Sequence, residues 1–220
     1  MSQPYAVVLG PPAAGKSTQA RRLADEFDVE LVDVGEVLRA NEAMETEFGT
    51  PAEYIERGEL VPDPVTNEVV GEVLTGTEGA VLDGYPRTLG QAAFLDGIAE
   101  LDVAVFLDAS EETVLARATS RRVCEECGEE YRVPPDASVA GLVPSDTPEA
   151  EGECDECGAT LVRPDDATPA FVEDLLAEYR AETAEVVEFY RQRGLLTEVD
   201  AEQSPDEVWR DVRDAVASQV

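Results

Sequence analysis

The stretch YAVVLGPPAAGKSTQARRLADEF, residues 5–27, decides the fold. YAVVL at 5–9 is a short apolar run that ends in glycine, the pattern of a buried parallel strand. Ala20, Leu23, Ala24 and Phe27 then recur at helical spacing. Between strand and helix lies GPPAAGKS, which matches G-x-x-x-x-G-K-[ST] in the context that motif requires. Glycines let backbone N–H groups close around phosphate oxygens, and the helix N-terminus adds its dipole. Lys16 is placed to reach the β- and γ-phosphates, with a hydroxyl toward Mg²⁺. Lys16 is also the single lysine of the chain, whose other basic residues are all arginine.

Outward from this loop the pattern repeats. VELV (29–32), AVLD (80–83), VAVFL (103–107) and LLTEV (195–199) read as further buried strands. Helical patterns separate most of them, at 62–74, 110–122, 167–193 and 204–218. The last opens with Ser204, Pro205 and two acids, a capped start. The alternation predicts an α/β architecture, a five-stranded parallel sheet with helices on both faces. Residues 34–61 are helical without an obvious strand, and 123–163 are rich in Gly, Pro and Cys. Both read as insertions, which leaves 1–33, 62–122 and 164–220 as the core. VPPDASVAGLVPSDTPEAEGE (133–153) reads as loop.

Composition narrows the partners. The 220 residues carry 49 acids against 16 bases, a net charge of −33 with no histidine. Such a polyanion repels nucleic acid and anionic membrane. At 43% hydrophobic residues it is not a disordered acidic chain. Acid spread this evenly suits a protein working in high salt, where screening relieves self-repulsion. No signal peptide and no membrane-spanning run is visible, so the expected location is the cytoplasm. Four cysteines in a reducing compartment are metal ligands before they are disulfides. CEEC (124–127) and CDEC (154–157) are two C-x-x-C knuckles, each followed by glycine, and suit a tetrahedral structural zinc.

VLDGYPRT (81–88) narrows the chemistry. Asp83 ends a predicted strand beside the loop, where an acid can hold Mg²⁺ through water. Arg87 follows the Tyr85–Pro86 turn into the same crevice. Arg39, Arg117, Arg121 and Arg163 flank the two insertions. Any one of them could be an ion-pair partner, but together they suit a transition state rich in phosphate charge.

With these motifs the chain resembles the adenylate kinase family of nucleoside monophosphate kinases, from about residue 5 to 218. The resemblance implies a P-loop core, an acceptor-binding insertion and a lid. It implies reversible transfer of the γ-phosphoryl group of MgATP to a nucleoside monophosphate, by a monomer that closes over its nucleotides. It places Gly10, Ala13, Ala14, Gly15, Lys16, Ser17 and Thr18 on ATP, with Arg117 at its base and Arg121 on its phosphates. Glu130, Tyr131 and Gln203 complete that pocket. Arg39 and Arg87 would bind the acceptor phosphate with Arg163. Val34, Glu59, Leu60, Val61, Gly84, Tyr85, Pro86 and Gln91 would surround the acceptor. Cys124, Cys127, Cys154 and Cys157 would hold the zinc of the lid.

The chain also departs from the family pattern. Ala13 and Ser17 stand where glycine is usual, and Val34 where threonine is usual. The helix after RPDD lacks a phosphate-binding arginine, with Asp174 or Leu175 in its place. Gln91, four residues after Arg87, points to AMP as acceptor, because adenine-accepting members carry glutamine there. The alternatives are a UMP/CMP-type kinase, or a nucleotide-binding regulatory relative with weak catalysis. The 26 residues between the knuckles exceed the usual spacing and imply an extra loop.

Overall fold

The computed structural model describes residues 3–134, 139–143 and 146–220. Its centre is a parallel sheet of five strands: β1 (Tyr5–Leu9), β2 (Glu30–Asp33), β3 (Ala80–Asp83), β4 (Val103–Asp108) and β8 (Leu196–Asp200), in the order β2-β3-β1-β4-β8. The strands have the predicted number and kind, with β2 and β8 shifted by one residue from the sequence reading. Strand order reverses at β1, so the loop after β1 sits at the switch point where such sheets bind ligands.

Period-two alternation sorts the β1 side chains between two cores. Ala6 and Val8 pack with Leu23 of α1 (Lys16–Phe27) and Val212 of α8 (Pro205–Ala217). Val7 and Leu9 pack on the other face with α4 (Asp63–Leu74), α5 (Leu89–Ile98) and α7 (Pro169–Gln192), through Val70, Leu95 and Val186. At α8 a capping box closes the start, with Ser204 and Glu207 bonded reciprocally. Val208, Val212, Ala215 and Val216 form its buried stripe. The segment 34–61 holds α2 (Val34–Ala40) and α3 (Pro51–Ile55) and no named strand among the described residues.

The second unit differs from the sequence reading at its edge. The helix expected over 110–122 stops at Ser120, giving α6 (Glu111–Ser120), and Arg121–Cys124 form β5. β5 pairs antiparallel with both β6 (Glu130–Arg132) and β7 (Leu161–Val162). Two flanking strands offer those residues a ladder that helix continuation would forfeit. Of the region expected as loop, the part described at 140–142 is a turn of 3-10 helix; residues 135–138 and 144–145 lie outside the described residues.

Candidate active site

The loop after β1 is shaped by two glycines and one strained alanine. Gly10 has φ +147°, and a Cβ there would stand 2.7 Å from the Leu107 carbonyl oxygen. Gly15 has φ +96° and caps α1. Ala13, where the family has glycine, is left-handed at φ +57°, a conformation that costs an alanine about 1 kcal/mol. The first turn of α1 carries no acid, although the chain holds 49. The positive end of the helix is therefore left open to an anion. Ser17 and Thr18 are exposed there.

Lys16 folds back, and its Nζ donates to the Pro11 carbonyl at 2.9 Å. Burial lowers its pKa to about 8, opposed by the Asp83 carboxylate and reinforced by Arg87. Asp83 is 5% exposed at the end of β3. Asp33, its register partner, ends β2. The sequence carries that signal: LVD and VLD are two strands that end alike, although only the second belongs to the VLDGYPRT motif. Asp33 also caps α2, accepting from the Glu36 N–H at 3.0 Å.

These elements open on a groove of about 970 Å³, within the range of nucleotide-sized sites. Ala13, Ala14, Gly15, Lys16, Ser17 and Thr18 line it, together with Arg117, Arg121, Glu130 and Gln203. Arg117 donates from Nε to the Leu142 carbonyl at 2.8 Å and from Nη2 to the Ala201 carbonyl at 2.7 Å. Burial lowers its pKa, against the pull of Glu202 and Asp200. Arg121 sits between Glu130 at 2.7 Å and Asp166 at 2.8 Å, and its bond to Glu130 raises its pKa. Leu175 also lines the groove, so one of the two positions matched to the missing arginine presents an aliphatic side chain. Arg180, in the next turns of α7, pairs with Glu111 instead.

Three of the expected site residues are engaged with the protein itself. Tyr131 is not a wall of the groove: it is 5% exposed in the cysteine cluster, and its hydroxyl accepts from the Asp155 N–H at 2.8 Å. Alternation along β6 turns it away from the side that Glu130 and Arg132 present. Tyr85 belongs to the core at 1% exposure, its hydroxyl donating to Asn67 Oδ1 at 2.7 Å. Gln91 is 6% exposed with both arms engaged. Its Oε1 accepts from the Arg87 N–H and its Nε2 donates to Asp63 Oδ1, both at 2.7 Å.

The other expected acceptor residues gather at the ends of β2 and β3. A Cβ on Gly84 would lie 3.4 Å from Arg87 and 3.6 Å from Val34, and one on Gly35 would lie 3.4 Å from Arg39. Arg87 Nε donates to the Gly84 carbonyl at 3.0 Å. Pro86 is buried, while Val61 is intermediate. Glu59 is held by Arg57, and Leu60 is 73% exposed on the far arm. Arg163 is exposed beyond β7 and does not line the groove; its charge helps to lower the Arg122 pKa, after burial.

Cys124, Cys127, Cys154 and Cys157 place their sulfurs within 4.8 Å of one another. The closest approaches are 3.4, 3.5 and 3.6 Å. Tetrahedral thiolates about 2.3 Å from a zinc ion lie about 3.8 Å apart, so the cluster fits that ion.

A family model described as adenylate kinase matches residues 8–195. An adenylate kinase of Halobacterium salinarum is 46% identical over 221 residues, covering 98% of each chain. Those of Haloarcula marismortui and Natronomonas pharaonis are 43% and 41% identical, again over 98% of each chain.

Proposed function

The chain belongs to the adenylate kinase family, and from that membership we propose that it transfers the γ-phosphoryl group of MgATP reversibly to AMP, giving two ADP. One observation carries the reading: the only lysine sits half-buried beside Asp83 at a glycine-shaped, acid-free helix start, and opens on a nucleotide-sized groove. Relatives over nearly the whole chain are named adenylate kinase, which disfavours both a pyrimidine kinase and a regulatory relative.

The parts then take these roles. Residues 1–33, 62–122 and 164–220 are the core, 34–61 bind the acceptor, and 123–163 form the lid. Backbone N–H groups from Gly10 to Thr18 hold the ATP phosphates. Lys16 exchanges the Pro11 carbonyl for a phosphate oxygen and neutralises the transferring group. Arg121 leaves Glu130 and Asp166 for phosphate as the lid closes. Arg39 and Arg87 hold the acceptor phosphate, joined by Arg163 on closure. Water is thereby excluded, so the phosphoryl group reaches AMP and not solvent. Gln91 keeps one amide hydrogen and one lone pair for adenine.

The buried Asp83 carboxylate and the Ser17 hydroxyl suit Mg²⁺, a hard ion that prefers oxygen. When bound with ATP it spreads the developing charge of the phosphates. The four cysteines suit a structural zinc, which would fix the lid. The protein works as a cytoplasmic monomer; no helix among the described residues is long and apolar enough to cross a membrane.

A coupled assay in molar KCl with saturating MgATP and AMP, UMP, CMP or GMP tests this. AMP should lead by about ten- to a hundredfold in kcat/KM. UMP or CMP ahead of AMP would overturn the acceptor, and no transfer to any of them would overturn the enzyme.

A further inference from the structure

The long segment between the cysteine knuckles returns to the groove. Gly141, Leu142 and Val143 are among its lining residues, as is Arg117. Val143 is 7% exposed and Leu142 half-buried, burial that a free surface loop would not show. The Arg117 guanidinium ties three elements together here. It projects from α6 and donates to the Leu142 carbonyl in the insertion and to the Ala201 carbonyl after β8. A second tie holds the insertion to the lid sheet, where the Arg132 N–H donates to the Asp146 carbonyl at 2.7 Å. The lining also includes two buried apolar side chains, Val172 of α7 and Val208 of α8.

We propose that the turn Ala140–Leu142, with Val143, is the base-side wall of the donor pocket, so that the lid insertion itself binds the purine ring of the triphosphate. The proposal rests on reading this groove as the ATP site. A flat ring entering the slot meets the guanidinium of Arg117 and aliphatic carbon from the insertion. Those are the surfaces that hold a π-system by stacking and burial. On that reading the phosphates lie on the loop that opens α1. Binding of the base and position of the lid are coupled through this wall, because whatever moves the insertion moves Leu142.

Leu142→Ala tests the wall without touching the loop or the cysteines, and Leu142→Met serves as its volume-conserving partner. The alanine variant should raise KM for MgATP about tenfold and leave KM for AMP within twofold. Inhibition by tripolyphosphate, which has phosphates and no base, should stay within twofold. Leu142→Met should restore the unmodified KM. An unchanged or lowered KM for MgATP would overturn the wall, the lowered value marking an occluding flap. Equal weakening of ATP and tripolyphosphate would also overturn it, as general loosening of the lid. If the unmodified protein transfers no phosphoryl group, the enzymatic reading fails by itself. Calorimetric titration of MgATP against tripolyphosphate into both proteins then decides the wall.

Discussion

The core sheet and the cysteine lid hold together by different means. Each face of the sheet buries a cluster of sixteen residues, nearly all aliphatic. The lid cluster has four, and two of those are cysteines. Apolar burial at about 25 cal/mol per Å² can order the first but not the second. The lid resembles a small metal-dependent domain set on a self-sufficient one. On the proposed reading, the lid would draw its rigidity from four sulfurs and the core from its aliphatic clusters.

Removing the metal should break that comparison open with the largest effect. Structural zinc contributes about 10–16 kcal/mol to the fold it organises. Cys154→Ser, or chelation, should release the metal and cut activity at least tenfold. Amide exchange should accelerate across β5, β6 and β7 and stay slow in β1, β3 and β4. Protection lost equally in both sheets would mean that the lid is no separate unit. Elemental analysis that finds no zinc, and no uptake, would remove the metal from the account.

Gly10→Ala probes the core in the same way, with a smaller effect. The added Cβ meets the backbone oxygen of Leu107 at 2.7 Å, at a φ of +147°. Neither can relax without moving a buried strand, so a loss of about 3 kcal/mol is expected. Denaturant unfolding measures it. The lid amides should be unaffected by this change, the mirror image of the cysteine variant.

That contrast also explains what could be read from the sequence. The sheet was legible because burial on both faces writes itself as VVL, AVLD and VAVFL, with no tertiary information needed. The phosphate loop was legible because only glycine serves at Gly10 and Gly15. The lid edge was not: Arg121 and Arg122 continue a helical pattern, and only the pairing of β5 with β6 and β7 makes them a strand. How Tyr131 and Gln91 are held was hidden for a related reason. Their partners, Asp155 and Cys154 for one and Asp63 for the other, are distant in sequence. The insertion could be counted from the knuckle spacing, but nothing in its composition says that it folds back on Arg117.

Lys16 sharpens the difference between stability and binding within the core. Its ammonium loses a proton near pH 8 when the site is free, because burial disfavours the charge. The unfolded chain keeps that proton to about 10.5. Between these values the unfolded state binds more protons, so the Lys16 contribution makes nucleotide-free stability rise with pH. Phosphate favours the ammonium and raises its pKa, so affinity runs the other way. Below about pH 8 affinity should not depend on this group. Above it, each pH unit should weaken MgATP by up to about tenfold, with proton uptake on binding. Calorimetry in buffers of different ionisation enthalpy reads that uptake; none at pH 9 would remove Lys16 from the phosphate site.

The smallest expected effect is at Ala13, where two terms oppose. Its left-handed backbone, φ +57°, costs about 1 kcal/mol that glycine would not incur. Glycine, however, gives the unfolded chain more freedom, a loss of about 0.4–1 kcal/mol. The methyl group is exposed and fills no cavity, so no packing term enters. Ala13→Gly should therefore leave the melting temperature within about 3 °C. Its effect should show in the loop, where the alanine narrows the backbone before phosphate arrives. The glycine variant should bind tripolyphosphate slightly more weakly, because more loop entropy is lost on binding. A clear gain in stability would mean that strain dominates and that this loop is held bent by the core around it. A clear loss would mean that alanine is comfortable at this φ, and that the family's glycine answers to the ligand and not to the fold.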